Sequence, residues 1–182
     1  MDALTTLLDI IKYTIPSLVV LGSSYLIVRK FLISENQRKQ LALFQDAQDT
    51  TLRLRLQAYE RLVLFIERIT PRQMIPRLYD PLMTVRDLQM AAIANIRNEY
   101  EYNLSQQIYV SKNVWETVKN VKEQELNMLN QVASKLNPES PARELHALIL
   151  DIVMKAEEEL PTEVALHIIN EEVRTLLTYG AR

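Results

Sequence analysis

From Tyr13 to Val28 the chain reads YTIPSLVVLGSSYLIV, sixteen residues without a charge, and the apolar pattern resumes at Phe31-Leu32-Ile33 after Arg29-Lys30. Apolar positions fall on every face of the helix this run predicts, so it has no side suited to water. Counted from Ile10 to Ile33 it is 24 residues long, enough to cross a hydrocarbon core that needs about 20. Arg29 and Lys30 can snorkel at one interface and Asp9 and Lys12 can mark the other, with Tyr13 and Tyr25 near the two ends. Two other readings of the run are a buried helix of a soluble domain and a signal peptide cut after Gly22-Ser23-Ser24. The leading region is not basic and the apolar run continues past that cut, so the expectation is a retained anchor over residues 1–33. Cations follow the run (Arg29, Lys30, Arg38, Lys39) more than they precede it (Lys12). The positive-inside rule then orients the N-terminus outside and the body in the cytoplasm.

Beyond the run the pattern changes twice. Residues 34–51 are mostly polar, with Leu41, Leu43 and Phe44 as the large apolar exceptions, and fit a stalk helix or a linker. From Leu52 apolar residues recur at helical spacing: Leu52, Leu56, Tyr59, Val63 and Ile66, broadened by Leu62, Phe65 and Ile69. Neither proline nor glycine occurs from Ser24 to Thr70, so no stop is encoded before Thr70-Pro71. There Thr70 and Gln73 form a candidate capping box for a short helix over 71–79. Asp80 is the expected cap of the next helix, which runs to about Gln107 with Leu82, Val85, Leu88, Met90, Ala92, Ile93 and Ile96 on its apolar face. Ile108-Tyr109-Val110 is expected as a buried connector, and Ser111 as the cap of a helix over 112–136. Ser140 and Pro141 start a further helix to about Leu160, with Leu145, Leu148, Ile149, Ile152 and Val153 inward. The last helix, 162–178, turns Val164, Leu166, Ile168, Ile169, Val173, Leu176 and Leu177 inward. The expected fold is all-α: an N-terminal transmembrane helix continuing into a stalk, then a bundle of about five helices over residues 52–182.

Composition narrows the chemistry. The chain has two glycines, Gly22 and Gly180, and no cysteine. Phosphate-cradling loops and tight hairpins are therefore not encoded in the body. There is no G-x-S-x-G and no thiol nucleophile. His146 and His167 lie on different predicted helices, and the row Glu163, His167, Glu171 is read as a solvated face rather than a metal site. Glu157-Glu158-Glu159 is read as a solvated helix end. Neither a cofactor nor a small-molecule substrate is expected, and the protein is not expected to be an enzyme. Outside residues 1–33 there are 18 basic and 21 acidic residues, a net charge that does not favour nucleic acid.

One charge pattern stands out. Every cation between Gln40 and Ser111 is arginine, and residues 53–77 carry six arginines against two glutamates, whereas residues 139–182 carry nine acids against four cations. Arginine pairs through a planar, multi-donor fork. Arg53, Arg55, Arg61, Arg72, Arg77 and Arg97 are thus candidates for an interaction surface toward anionic lipid or an acidic partner, beside the alternative that they pair with the body's own acids. Gly22, Ser23 and Ser24 form a candidate interface between membrane helices, since small residues let backbones approach.

The block Leu54–Pro71 (LRLQAYERLVLFIERITP), the block Asn95–Ser111 with Trp115, and Glu171–Leu177 (EEVRTLL) resemble a family of small proteins of unknown function from Bacteroidota that carry an N-terminal hydrophobic segment. The resemblance implies a membrane-associated bacterial helical protein and brings no activity or cofactor. It draws attention to Gln57, Tyr59, Glu60, Arg61, Asn95, Arg97, Asn103 and Gln106, as a buried polar network or as a binding surface. The expectation is a non-catalytic, single-pass inner-membrane protein acting as an adaptor or accessory subunit, with the bilayer and other membrane-protein subunits or further copies of itself as partners. The alternative is a membrane-surface binding module that recognises anionic lipid or an acidic peptide through the arginine-rich helix.

Overall fold

The computed structural model describes residues 3–156 and 158–180, and the side chains of residues 12, 14–156 and 158–178. The side chains of Asp9 and Tyr13, and Glu157 altogether, lie outside them. The described residues form six α-helices: α1 (Ala3–Ile69), α2 (Pro71–Leu78), α3 (Val85–Tyr102), α4 (Lys112–Ala133), α5 (Ala142–Met154) and α6 (Pro161–Gly180), with a short 3-10 segment at Leu104–Ile108. The fold is all-α. The chain divides into two compact units, Met1–Thr51 and Leu52–Arg182.

Helix α1 is unbroken through the polar residues 34–51 and ends at Ile69. Pro71 is the reason: the residue before a proline is pushed out of the helical region, and Thr70 has φ −57° and ψ 126°. In the first unit, the apolar side chains from Ile15 to Ile33 are exposed, Leu21 by 70%. Among the described residues α1 is the one helix long and apolar enough to cross a membrane, by length and composition, a property that signal sequences share.

The core lies in the second unit. Tyr59, Leu62, Phe65, Ile66 and Ile69 of α1 are buried with Leu88, Ala92 and Ile96 of α3, Val118 and Leu129 of α4, Leu145 and Ile149 of α5, and Ala165 and Ile169 of α6. Side chains of this size each contribute about 1.5–3 kcal/mol on leaving water. An aromatic row crosses the core, from Phe65 to Tyr100 (6.2 Å between centroids) and on to Trp115 (5.6 Å), with the Lys122 ammonium 4.5 Å from the Tyr100 ring centre.

Several helix ends differ from the sequence expectation. Thr70 makes no side-chain cap for α2; its hydroxyl donates back to the Ile66 carbonyl at 2.8 Å, and Gln73 donates to Glu67 at 2.6 Å. Asp80 is not the cap of α3. Its carboxylate accepts from the Leu82 N–H, and Thr84 forms the capping box with Asp87 instead. Those backbone and side-chain hydrogen bonds from Thr84 hold the Asp87 carboxyl below its ordinary pKa.

Ser140 does not cap α5 either; the helix begins at Ala142 with Pro141 in the cap position. The cause is tertiary. The first amides of α3 are satisfied across space, Val85 N–H donating to the Ser140 carbonyl (2.8 Å) and Arg86 N–H to Pro138 (3.1 Å), while Ala142 N–H donates to Met83 (2.9 Å). These exchanges supply the acceptors that orphan N-terminal amides require. Ser111 does cap α4, accepting from Val114 N–H.

Helix α3 stops at Tyr102 rather than near Gln107, because Asn103 turns back to donate to the Glu99 carbonyl at 2.8 Å. Helix α4 ends at Ala133 rather than Leu136, although Leu136 still packs on the core. Helix α5 ends at Met154 rather than Leu160; three glutamates in succession oppose the negative end of a helix dipole. Of the connector Ile108-Tyr109-Val110, Val110 packs on the core while Ile108 and Tyr109 are exposed, Ile108 by 74%. Leu82, Met90, Ile152, Val164 and Leu177, expected on inward faces, are exposed as well. Each lies at the margin of an apolar stripe, where the neighbours present decide whether anything covers it.

Candidate interaction surface

The arginines divide by what they touch. Arg55 donates from Nε to the Tyr109 carbonyl at 3.2 Å, Arg72 to the Val153 carbonyl at 3.3 Å, and Arg77 to the Arg68 carbonyl and the Asn95 side chain at 3.1 and 3.2 Å. Arg68 pairs with Glu99 at 3.1 Å and Arg86 with Glu139 at 3.3 Å. Arg55, Arg72 and Arg77 thus fasten loops and helix ends of their own body, mostly through carbonyls rather than acids. Arg53, Arg61 and Arg97 are exposed. They have no ion pair or side-chain hydrogen bond among the described residues.

Arg61 lines a groove of about 250 Å³ between α1 and the end of α3, with Leu64, Phe65, Arg68, Glu99 and Tyr102 around it. Phe65 is buried and forms the floor, Leu64 is 50% exposed, and Tyr102 is 81% exposed. Exposed aromatics beside arginine are the residue types that carry interface energy. Leu54, Gln57, Arg61, Leu64 and Arg68 are exposed at alternating spacings of three and four residues along one side of α1, with Arg53 and Glu60 exposed beside them.

A second cluster ties the elements together. Glu172 of α6 accepts from the Tyr59 hydroxyl through one carboxylate oxygen and from the Ser111 hydroxyl through the other, at 2.5 Å in the second case. Burial raises the Tyr59 pKa, and Glu172 adds to the rise. The one carboxylate therefore links α1, α6 and the start of α4. Of the polar residues the resemblance singled out, Asn103 and Gln106 are buried, whereas Gln57, Glu60, Arg61 and Arg97 are exposed. The group is divided between packing and surface.

Glu125 was not apparent from sequence. It is 4% exposed on α4, its Oε2 has no hydrogen-bond partner among the described residues, and burial pushes its pKa up to about 7. The available signal was its register: Val121, Glu125 and Leu129 are four apart on one stripe of α4, so an acid occupies an apolar position. The His146 Nε2 and Thr162 Oγ1 are buried without a partner too; the His146 ring lies 5.1 Å from Tyr79. In the row around His167, Glu163 instead accepts from the Leu160 N–H and Glu171 pairs with Arg174 at 2.8 Å. In the first unit, Gly22 and Ser24 line a shallow apolar notch with Leu21, Tyr25 and Val28, and the Ser23 hydroxyl is turned to its own helix, donating to Val20.

A family model described as a family of unknown function, DUF7935, matches residues 5–176. The chain belongs to that family. Its match covers both the apolar part of α1 and the helical body, so the two units are a single family unit in sequence. No curated protein and no solved structure matches the chain significantly.

Proposed function

We propose that this is a non-catalytic, single-pass protein of a bacterial inner membrane, acting as an adaptor or accessory subunit of a larger assembly. The observation that carries the reading is the contrast within α1: its apolar side chains from Ile15 to Ile33 are exposed, whereas those from Ala58 to Ile69 fill a core. Water does not tolerate the first arrangement and hydrocarbon does. The cation asymmetry around the run, Arg29, Lys30, Arg38 and Lys39 after it against Lys12 before it, supports a cytoplasmic body by the positive-inside rule. A bacterial origin is what the resemblance to a family from Bacteroidota implies. The body then serves as a rigid module whose exposed arginines and aromatics meet other subunits. The test is purification of the tagged full chain from native membranes in mild detergent. Membrane fractionation with a stoichiometric partner supports the reading; recovery of the whole chain in the soluble fraction overturns it.

The second reading is a membrane-surface module that binds anionic lipid or an acidic peptide, favoured by the unpartnered Arg53, Arg61 and Arg97. A lone monomer that binds anionic vesicles, and loses them when these three are replaced by glutamine, decides for it. A turnover activity lost in His167→Ala would overturn both.

A further inference from the structure

Two buried polar groups share one seam of the body. Ser111, which caps the start of α4, donates to Glu172 in the second half of α6, so the two helices run antiparallel. Further along, Val121 and Ala165 are the buried floor of a groove of about 350 Å³ between them, with Gln124 and Glu159 exposed at its rim. Glu125 lies one turn of α4 beyond Val121, and Thr162 lies one turn of α6 before Ala165, so both fall at the same end of the seam. Glu125 is 4% exposed and Thr162 is 1% exposed. The carboxyl Oε2 and the hydroxyl oxygen each lack a hydrogen-bond partner among the described residues.

No described group is placed to neutralise a charge on Glu125. Helices α3, α5 and α6 pack against α4, and the buried side chains of α3 and α5 are all apolar. On α4 itself Lys122 pairs with Glu123. On α5 Asp151 pairs with Lys155, and His146 lies against Tyr79. On α3 Arg86, Asp87 and Glu99 are engaged by Glu139, Thr84 and Arg68, while Arg97 and Glu101 are exposed. The approach to α6 and its first turn bring only acids, the exposed Glu158, Glu159 and Glu163. A neutral carboxylic acid is tolerated at such a position, whereas an unpaired buried carboxylate is not. The nearest way to water is the groove beside it.

We propose that the α4–α6 seam is a proton-controlled latch: protonated Glu125 keeps the first turn of α6 closed on α4, and loss of its proton to solvent turns the carboxylate out through the groove and frees that turn from α4. The far end stays shut, because Glu172, ten residues beyond Thr162, remains tied to Tyr59 and Ser111. The movement is therefore a local pivot of α6 that uncovers Val121 and Ala165. Burial sets the response near pH 7. The latch goes beyond the adaptor reading and does not depend on it.

The chain contains no cysteine, so one introduced thiol reports one position. Ala165→Cys on the seam and Ala92→Cys on α3, both at 0% exposure, are made separately in the full-length chain in nonionic detergent. Each is labelled with a maleimide at pH 6 and pH 8, and its rate is divided by that of free cysteine at the same pH. At pH 8 the thiol at position 165 is expected to label within about ten-fold of free cysteine, and the thiol at position 92 at least a hundred-fold more slowly. At pH 6, or at pH 8 with Glu125→Gln added, position 165 should be protected at least ten-fold more. Hydrogen exchange of the chain without a cysteine reads the same event and decides alone if a thiol variant does not fold. There the amides of Val164 to Leu166 should lose protection at least ten-fold from pH 6 to pH 8 and keep it in Glu125→Gln, while those of Leu88 to Ala92 stay protected. A position 165 as slow as position 92 at pH 8, or one equally open at pH 6 or in Glu125→Gln, overturns the proposal. So does simultaneous exposure of α3 and α6, the mark of whole-body opening.

Discussion

Helix α1 contains two regions that obey opposite rules. Between Ile15 and Ile33 leucine, valine and isoleucine point outward on all sides, and Pro16 and Gly22 sit inside the helix without ending it. Between Leu52 and Ile69 the same residue types are sorted, with Ala58, Tyr59, Leu62, Phe65, Ile66 and Ile69 buried and Arg53, Gln57, Arg61 and Arg68 exposed. Backbone geometry is common to both; the difference is that a core covers the second and no described residue covers the first, which the proposed reading assigns to hydrocarbon. A uniformly apolar surface suits hydrocarbon, while a one-sided stripe suits a core with water behind it.

The sharpest break of this comparison is a truncation made in each region. Phe65→Ala should cost the body about 4 kcal/mol, since Phe-to-Ala changes in cores cost 3–5, whereas Leu21→Ala should leave the denaturation midpoint of the body unchanged; thermal melts of both variants decide. A charge should reverse the pattern. Leu21→Lys is expected to oppose membrane insertion by about 3 kcal/mol and to leave the body's circular dichroism intact, as read by fractionation and by spectroscopy of the detergent-solubilised protein.

Glu125 gives a pH test confined to the second region. Its carboxyl titrates near pH 7 in the folded body against an ordinary value of 4.5, so between those values the folded state holds a proton that the unfolded state has released. Stability is then greatest below about pH 4.5, falls as pH rises toward 7, and levels off above it. Glu125→Gln should remove that slope, matching the parent at pH 4 and exceeding it by roughly 2–3 kcal/mol at pH 8. A parent whose urea midpoint is flat from pH 5 to 8 would show the carboxyl to be solvated. The smallest effect is expected at Ser111. Ser111→Ala removes the α4 cap and one hydrogen bond to Glu172, at about 1–2 kcal/mol, and Ser111→Thr should recover most of it.

The sequence by itself determined the helical class and the stop of α1 at Thr70-Pro71. Two glycines in 182 residues, apolar periodicity near 3.6, and the Thr70-Pro71 break are local properties, and local properties survive into the structure because they act through the backbone of a few neighbouring residues. Ser111 was legible as a cap for the same reason. Thr84 with Asp87 is a local capping pattern of the same kind, in competition with Asp80-Pro81, whereas the failure of Ser140 to cap was not legible, because Met83–Arg86 and Pro138–Ala142, residues more than fifty positions apart, exchange hydrogen bonds. The six candidate arginines were legible as a group but not as a division into those that fasten carbonyls and those left free. Which guanidinium finds a carbonyl depends on where other helices end. Only the tertiary structure brought Tyr59, Ser111 and Glu172 together, buried Glu125, and left Leu64, Tyr102 and Ile108 uncovered. Burial is a property of what packs above a residue, and a stripe along one helix does not carry that information.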